Sequence, residues 1–208
     1  MERKLYRKKT LKRAAPLAKL YSGLSGFDIN TDNLQQHATT YGEIADSSIP
    51  ILYEIFNKYA PLNNISQPYR NFYDIGSGIG KLVIGMAYKS PTLKLTGIEI
   101  VPERVQNANT ALEKVRDDQI KRRIEFVCIS MLDDSVKYTN ACWIFLSNLC
   151  MTDEESNNIF IKLANETKKG CIIVCLKENY YDCYQKLNHI SLPMSWSNET
   201  KVFVYSRI

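Results

Sequence analysis

Apolar and polar positions follow one another along this chain in an order that predicts an α/β fold. Short apolar runs predict strands that end at Asp74 or span residues 94–100, 124–128, 142–147, 171–176 and 201–207. Runs with a helical period lie mostly between them and predict helices over residues 80–89, 103–116, 153–166 and near 179–187. Such alternation is typical of a mostly parallel sheet with helices on both faces. The closing run, Thr200 to Tyr205, has no helix after it and is expected to be an antiparallel last strand.

The region before the first predicted strand divides into a basic arm and the start of the domain. Of the 208 residues, the first 21 hold eight basic residues and one acid, a net charge of +7 against +5 for the whole chain. We therefore expect residues 1–33 to be a basic arm with a connecting loop and residues 34–208 to be the folded domain. Leu5, Leu11, Leu17 and Tyr21 are among the apolar positions that predict an amphipathic helix within the arm. A further helical face begins near Ser47-Ser48-Ile49-Pro50 and runs to Tyr59.

The composition limits where the protein is expected to work. No apolar run approaches the ~20 residues of a membrane span, and no apolar stretch follows Met1-Glu2-Arg3-Lys4, so neither a membrane protein nor a secretory signal is expected. None of the six cysteines forms a CxxC pair and the chain has two histidines, so no metal site is predicted. Buried, reduced thiols in a nuclear or cytosolic protein are the expectation.

The stretch from Phe72 to Lys81 carries the clearest chemical signal. Asp74 is followed by glycines at alternate positions, Gly76, Gly78 and Gly80, and then by a helical apolar pattern. A dinucleotide-binding loop has two residues between its second and third glycine, whereas one residue stands there in this chain. The D-x-G-x-G-x-G form resembles the first motif of the class I S-adenosylmethionine (SAM) methyltransferases. That class implies a Rossmann-like, mostly parallel, seven-stranded sheet with an antiparallel last strand.

A second acidic strand end supports this interpretation. Glu99 closes the predicted strand 94–100, about 20 residues beyond the glycines, where an acid accepts the ribose hydroxyls of a nucleoside ligand. The alternative is a solvated Glu before the helix that Pro102-Glu103-Arg104 begins, since acids are common at that position.

Three further stretches narrow the class to a family. Thr40-Tyr41-Gly42-Glu43 precedes the first domain helix, Ser147-Asn148-Leu149-Cys150 follows the fourth strand, and Met194-Ser195-Trp196-Ser197 stands near the end. With the glycine motif, their order and spacing resemble the disruptor-of-telomeric-silencing family of non-SET histone lysine methyltransferases. The resemblance extends from about Tyr41 to the C-terminus.

The resemblance implies a set of SAM-binding residues. It implies that Tyr41, Gly42 and Glu43 form a lid loop over the methionine part of SAM and that Glu99 binds the ribose. Adenine recognition falls on Ser130 and Met131, where the family has an Asp-Phe pair, or shifts to Asp133 or Asp134. The amino-acid end of SAM is implied to meet the glycine motif, at Asp74, Gly76, Ser77, Gly78 and Lys81, with Lys81 where the family commonly has Gln.

The resemblance also implies the residues of catalysis. Asn148 corresponds to the second Asn of a family Asn-Asn pair near the transferred methyl, with Ser147 in place of the first, and is also implied to touch SAM. Trp196 would line a lysine channel, with Phe203 opposite and Tyr41 shielding the sulfonium. The plainer alternatives are that Asn148 caps a helix and that Tyr41 and Trp196 only pack on the core.

These observations predict a SAM-dependent protein lysine N-methyltransferase that acts on a core histone or nucleosome, in the nucleus or on chromatin. The basic arm is expected to contact DNA or an acidic protein surface. A nucleic-acid methyltransferase is the first alternative, although Ser147-Asn148-Leu149-Cys150 lacks the Pro-Pro-aromatic segment that is typical of enzymes acting on base amines. The others are a methyltransferase of a non-histone protein, and a non-enzymatic binder on the same scaffold.

Overall fold

The computed structural model describes residues 17–34, 37 and 39–208. The predicted arm therefore lies mainly outside the described residues, and so does most of its predicted helix. The helices are α1 Leu17–Leu20, α2 Ser48–Tyr59, α3 Lys81–Lys89, α4 Pro102–Glu113, α5 Asp118–Lys121 and α6 Asp153–Glu166. The strands are β1 Asn71–Ile75, β2 Lys94–Glu99, β3 Ile124–Cys128, β4 Ala141–Leu146, β5 Ile172–Cys175, β6 Tyr184–Met194 and β7 Ser197–Arg207.

The seven strands form one sheet in the order β3-β2-β1-β4-β5-β7-β6. Strands β1 to β5 pair in parallel, and β7 is antiparallel to both β5 and β6. The predicted fold class, including the antiparallel last strand, is confirmed. The strand order reverses between β1 and β4, and in such sheets ligands bind at that point, outside the carboxyl ends of the strands.

The helix predicted near residues 179–187 is wrong, because strand β6 begins there at Tyr184. Tyr184, Leu187 and Ile190 recur every three residues, as on a helix face. A bulge between Lys186 and Asn188 interrupts the pairing with β7, and the extra residue shifts the two-residue period of the strand. The same hairpin starts β7 at Ser197, earlier than the predicted residue 201.

Two apolar cores cover the two faces of the sheet. On one face, α2, α3 and α4 pack through residues such as Phe56, Ile84 and Ala111 against Trp143 and Phe145 of β4. On the other face, α6 packs through residues such as Ile159 and Phe160 against the alternate residues of the same strands. Because β4 is buried on both faces, its whole length is apolar.

Two residues of the predicted arm and loop belong to the folded domain. Leu20 and Tyr21 are buried in the core on the α2 and α3 face, with 2% and 6% of their surfaces exposed. Segment 22–25 then runs beside α4, where Lys114 and Asn107 donate to the carbonyls of Ser22 and Ser25. The division at residue 33 remains a prediction.

The described residues also allow two expectations from the composition to be examined, those on membrane spans and on cysteines. No described helix is long and apolar enough to cross a membrane. All six cysteines are free thiols; Cys142, Cys171 and Cys175 are buried, whereas Cys128 and Cys150 are exposed, so the expectation of buried thiols is only partly met.

Candidate active site

A cavity of about 340 Å³ opens at the carboxyl ends of β1, β2 and β4, where the strand order reverses. A smaller cavity adjoins it and shares Tyr41, Gly42, Gly76 and Trp196 with it. Of the predicted site residues, the larger cavity is lined by Tyr41, Gly42, Gly76, Glu99, Ser130, Met131 and Trp196. The smaller one adds Glu43, Asp74, Ser77 and Lys81.

The glycine loop joins the end of β1 to the end of β2. The amides of Gly76 and Ser77 donate to the carbonyl of Ile98, at 2.8 and 3.0 Å. Gly78 has φ +54° and donates its amide to Glu99 Oε2 at 2.9 Å. The positive φ turns the chain sharply, so that three successive residues bring their amides to the neighbouring strand end.

Glu99 is held by the backbone and still faces the cavity. It is 6% exposed, and its Oε1 accepts the amides of Ile100 and Val101, both at 2.9 Å. A carboxylate has about four acceptor positions, and the backbone uses three of them once the Gly78 amide is included. A position therefore remains for a ligand hydroxyl, which agrees with the predicted ribose contact.

Asp74 and Ser77 place two buried polar side chains beside the smaller cavity. Asp74 is 3% exposed, and burial, followed by the nearby negative charge of Glu99, raises the pKa of its carboxyl from 3.8 to about 8. The buried Ser77 Oγ has no hydrogen-bond partner among the described residues. Buried polar groups in proteins are normally paired. A buried carboxyl and a free hydroxyl side by side fit the ammonium and carboxylate groups of an amino acid.

The Tyr41-Gly42-Glu43 segment covers the glycine loop as a small network. The Tyr41 hydroxyl donates to Glu43 Oε1 at 2.7 Å, and Glu43 Oε2 forms an ion pair with Lys81 of α3. The Tyr41 ring lies over Gly78, where an added Cβ would come within 2.5 Å of ring carbon Cε2. Burial and the hydrogen bond to Glu43 raise the pKa of Tyr41 well above its usual range. Segment 41–43 is therefore ordered over the predicted amino-acid pocket.

This segment is also joined to the tip of the β6–β7 hairpin, more than 150 residues away in sequence. The amide of Glu43 donates to Ser195 Oγ at 2.9 Å, and the amide of Ser195 donates to the Glu43 carbonyl at 2.7 Å. Ile44 and Met194 form an antiparallel bridge beside them. The two short motifs Tyr-Gly-Glu and Ser-Trp-Ser thus form one structural unit, which we call the clasp (residues 41–44 and 194–196).

Trp196 is the exposed member of the clasp. Its ring lies against Gly42, lines both cavities and is 44% exposed. An aromatic residue that is half exposed at a cavity can contact a second ligand that enters from solvent.

The larger cavity also has an apolar part of its lining. Ile100, Ile129 and Met131 line it, with Ser130 as the polar member, so this wall suits a flat heteroaromatic ring. The Asp133 carboxylate instead binds the amide and hydroxyl of Ser135, at 2.8 and 2.6 Å. Neither Asp133 nor Asp134 lies in the cavity lining.

Two predicted catalytic side chains, those of Asn148 and Phe203, lie outside the lining of both cavities. Asn148 is fully buried; its Nδ2 donates to Ser156 Oγ at 2.9 Å, and its Oδ1 accepts the amides of Leu176 and Lys177 at 2.9 and 3.0 Å. It thereby joins the end of β5 to α6. Asn148 does not cap α6 either, because the N-cap is Thr152, in a capping box with Glu155.

Phe203 lies on β7 beside Cys175 and is buried in the core on the α6 face. It lies in the lining of neither cavity. The predicted contacts of Asn148 and Phe203 with substrate remain predictions.

Sequence reasoning did not predict several residues of the cavity lining, and Arg104 is the charged one that contacts predicted site residues. Arg104, in the first turn of α4, is 5% exposed. Its guanidinium lies over the Tyr41 ring and 3.9 Å from the Glu99 carboxylate. The sequence around it gives no signal of this role, because an Arg near the start of a surface helix is ordinary. No three His, Cys, Asp or Glu side chains among the described residues are grouped to hold a metal ion.

Comparison with solved structures defines the class of this fold. TrmN from Thermus thermophilus is similar with a TM-score of 0.59 and 13% identity, over 76% of this chain and 49% of that one. The SAM-bound magnesium protoporphyrin IX methyltransferase ChlM from Synechocystis PCC 6803 has a TM-score of 0.57 and 12% identity, over 91% and 88% of the two chains. The chain thus spans about half the length of TrmN. The shared fold is that of the SAM-dependent methyltransferases, and the ChlM structure contains bound SAM.

Sequence comparison then places the chain in a family. The profile described as "Histone methylation protein DOT1" matches residues 32–202 of the 208, so the chain belongs to that family. No curated protein sequence matches it. The predicted resemblance is confirmed at the level of the family, and the cofactor that it implies is SAM.

The residues present fit this cofactor. Asp74 and Ser77 would hold the amino-acid end, Glu99 the ribose, and the apolar wall at Met131 the adenine. When bound, SAM supplies an activated methyl group on a sulfonium. The chain's own contribution would be to orient the cofactor and to exclude water with the clasp, because methyl transfer depends mainly on geometry and on a dry site.

Proposed function

We propose that this chain is a protein lysine N-methyltransferase whose substrate is a core histone or the nucleosome. Membership of the histone methylation family supports this, and one structural observation supports it most. The clasp joins Trp196, half exposed, to the loop that covers the cofactor pocket. An aromatic wall at this position would receive the aliphatic part of a lysine side chain.

The site would also favour the neutral form of the substrate lysine. A lysine amine has a pKa of about 10.4 in water, so it is almost fully protonated at neutral pH. Desolvation beside apolar and aromatic side chains lowers that pKa and favours the neutral, nucleophilic amine. Trp196, Leu149 and Met151 offer such surroundings at the cavity. The amine would then attack the methyl carbon as the carbon–sulfur bond breaks, which leaves methylated lysine and S-adenosylhomocysteine.

The basic arm would bind the substrate's phosphates or an acidic protein face. The residues before 17 carry Arg3, Lys4, Arg7, Lys8, Lys9, Lys12 and Arg13. Nucleosomal DNA is the densest source of negative charge near a histone lysine, and such contacts weaken with salt. A nuclear or chromatin-associated location follows from this proposal.

The test is transfer of labelled methyl from SAM to nucleosomes, free histones, a non-histone protein mixture and naked DNA in parallel. Three proteins are compared: wild type, Trp196→Ala, and a full-length variant in which those seven basic residues become Gln. The seven-residue change leaves Leu20 and Tyr21 intact, since both are buried in the core. Tyr180→Ala is the matched control, because Tyr180 is an exposed aromatic residue outside the cavity lining.

The proposal expects label on a histone band that falls with Trp196→Ala and persists with Tyr180→Ala. The neutralised arm should reduce transfer to nucleosomes more than transfer to free histones. Label on DNA alone would favour a nucleic-acid methyltransferase, and label only in the protein mixture would favour a non-histone substrate. SAM binding without transfer to any acceptor would contradict the histone assignment.

A further inference from the structure

Arg104 is a buried cation whose charge is only weakly paired. Its side chain is 6% exposed, and its nearest carboxylate oxygen, Glu99 Oε1, lies 3.9 Å from Nη1. That same oxygen already accepts the amides of Ile100 and Val101. Burial lowers the pKa of Arg104, and the nearby Glu99 opposes this effect. A guanidinium in such a place needs other partners to offset its lost hydration.

Those partners are parts of the two loops that precede the domain's first long helix. Arg104 Nε donates to the Gly26 carbonyl at 3.2 Å, and Nη2 donates to the Thr39 carbonyl at 2.7 Å. The guanidinium carbon lies 4.5 Å from the centre of the Tyr41 ring, in a cation–π contact. One side chain of α4 therefore binds both loops and the aromatic residue of the clasp.

These contacts bear on the cofactor pocket because Tyr41 connects to the rest of the clasp. The Tyr41 hydroxyl binds Glu43, which pairs with Lys81, and the backbone of Glu43 is bonded to Ser195. Phe27 also packs against Tyr41 in a T-shaped arrangement, with the ring centres 4.8 Å apart. Loss of the Arg104 side chain would therefore remove a charged contact from both Thr39 and Tyr41.

We propose that Arg104 is a positioning residue of the cofactor site, which holds segment 39–43 over the cavity by binding Gly26, Thr39 and Tyr41 at once. This role needs the planar fork of a guanidinium, with donors pointing in several fixed directions and a flat face for the ring. A lysine would keep the charge but could not make these three contacts together. The proposal rests on SAM as the cofactor and is independent of the substrate protein.

Arg123 provides the matched control. It is a partly buried Arg that donates to four backbone carbonyls, those of Ala87, Ser90, Leu93 and Gln119. It lies near the start of β2, at the opposite end of the strand from Glu99, and outside the cavity lining. Arg123→Lys thus removes the same kind of contact and affects folding stability without touching the clasp.

The experiment measures SAM affinity by titration calorimetry and acrylamide quenching of tryptophan fluorescence, on the full chain. Trp143 is fully buried, so quenching reports on Trp196 in the clasp. Loss of a charge-assisted hydrogen bond predicts that Arg104→Lys raises the Kd for SAM by about tenfold or more and increases quenching. Arg123→Lys should lower the unfolding temperature and leave both readouts near wild type.

A second comparison guards against a general loss of folding. Tyr41→Leu removes the ring contact of Arg104 and leaves its contacts with Gly26 and Thr39, so Arg104→Lys should increase quenching less in that background than in the wild type. Equal SAM affinity and quenching in Arg104→Lys and Arg123→Lys would overturn the proposal, as would fully additive effects with Tyr41→Leu. If the wild type did not bind SAM, the cofactor assignment would fail, while the quenching comparison would still decide the role of Arg104.

Discussion

The ring of Trp196 lies directly on the backbone of Gly42, with no room for a side chain between them. A Cβ at position 42 would stand 2.3 Å from ring carbon Cζ3. This contact joins the predicted cofactor lid to the predicted substrate wall. A change at either residue should therefore affect both the pocket and its mouth.

Gly42→Ala should displace the Trp196 ring and reduce methyl transfer at saturating SAM by about tenfold or more, since small misplacements of reacting groups cost large factors in rate. The measurement is the rate of label transfer to the preferred acceptor. The control is the double variant Gly42→Ala, Trp196→Ala, in which the clash is absent. If the double variant is much slower than Trp196→Ala alone, the contact is not the cause.

Asp74→Asn should change how stability depends on pH. Burial and Glu99 raise the pKa of Asp74 from 3.8 to about 8 in the folded protein, so the folded state keeps a proton that the unfolded chain loses between these values. The stability of the ligand-free protein should therefore fall as pH rises through this window. One proton contributes at most about 1.4 kcal/mol per pH unit.

The measurement is the free energy of unfolding of both proteins by urea, from pH 5 to pH 8. Asp74→Asn should gain stability relative to wild type as pH rises, because it has no charge to bury. Parallel pH profiles for the two proteins would contradict the buried, unpaired carboxyl.

Ser77→Ala should have opposite effects on the free and the ligand-bound protein. The Ser77 hydroxyl is buried without a partner, so its removal should leave the stability of the free protein unchanged or slightly higher. Its loss should weaken SAM binding, by about tenfold at most. Thermal unfolding and calorimetry test the two effects.

The control is Ser156→Ala, since the Ser156 hydroxyl accepts the Asn148 amide at 2.9 Å. That change should lower the stability of the free protein by about 1–2 kcal/mol. If Ser77→Ala destabilises the free protein as strongly as Ser156→Ala, the Ser77 hydroxyl already has a partner in the free protein, which would contradict its role as a ligand-binding group.

Glu99→Gln should weaken both the glycine loop and cofactor binding. An amide cannot accept the three backbone hydrogen bonds that the carboxylate accepts, and a buried unpaired N–H costs about 1–3 kcal/mol. SAM affinity by calorimetry should fall by about tenfold or more. Glu103→Gln, an exposed acid in the first turn of α4, should bind SAM as wild type does; equal affinity in both variants would contradict the role of Glu99.

The sequence predicted those parts of the site whose residues lie close together in the chain and belong to a known strand–turn–helix pattern. Asp74, the glycine loop and Glu99 stand at the ends of neighbouring strands, so a strand-turn-helix pattern is enough to bring them together. The Tyr-Gly-Glu and Ser-Trp-Ser motifs were found through the family resemblance. Their direct contact across more than 150 residues is a property of the fold alone.

Other features could not be predicted because their signal is not local. Arg104 binds carbonyls 78 and 65 residues away, and any residue type can offer a carbonyl. The start of β6 was mistaken for a helix because the bulge near Lys186 imposes a three-residue apolar spacing on a strand. Asn148 was expected to lie near the transferred methyl, whereas its buried side-chain amide binds Ser156, Leu176 and Lys177 through three of its four hydrogen-bonding positions.

The proposed function requires that the methyl group of SAM is transferred to a lysine of a histone. The most direct measurement is mass spectrometry of histone peptides after incubation of nucleosomes with the enzyme and deuterium-labelled SAM, beside a Glu99→Gln reaction. We expect the labelled methyl group on a lysine Nε with the wild type and a greatly reduced signal with Glu99→Gln. Labelled methyl on DNA, on a histone residue other than lysine, or on no histone residue despite measured SAM binding would contradict it.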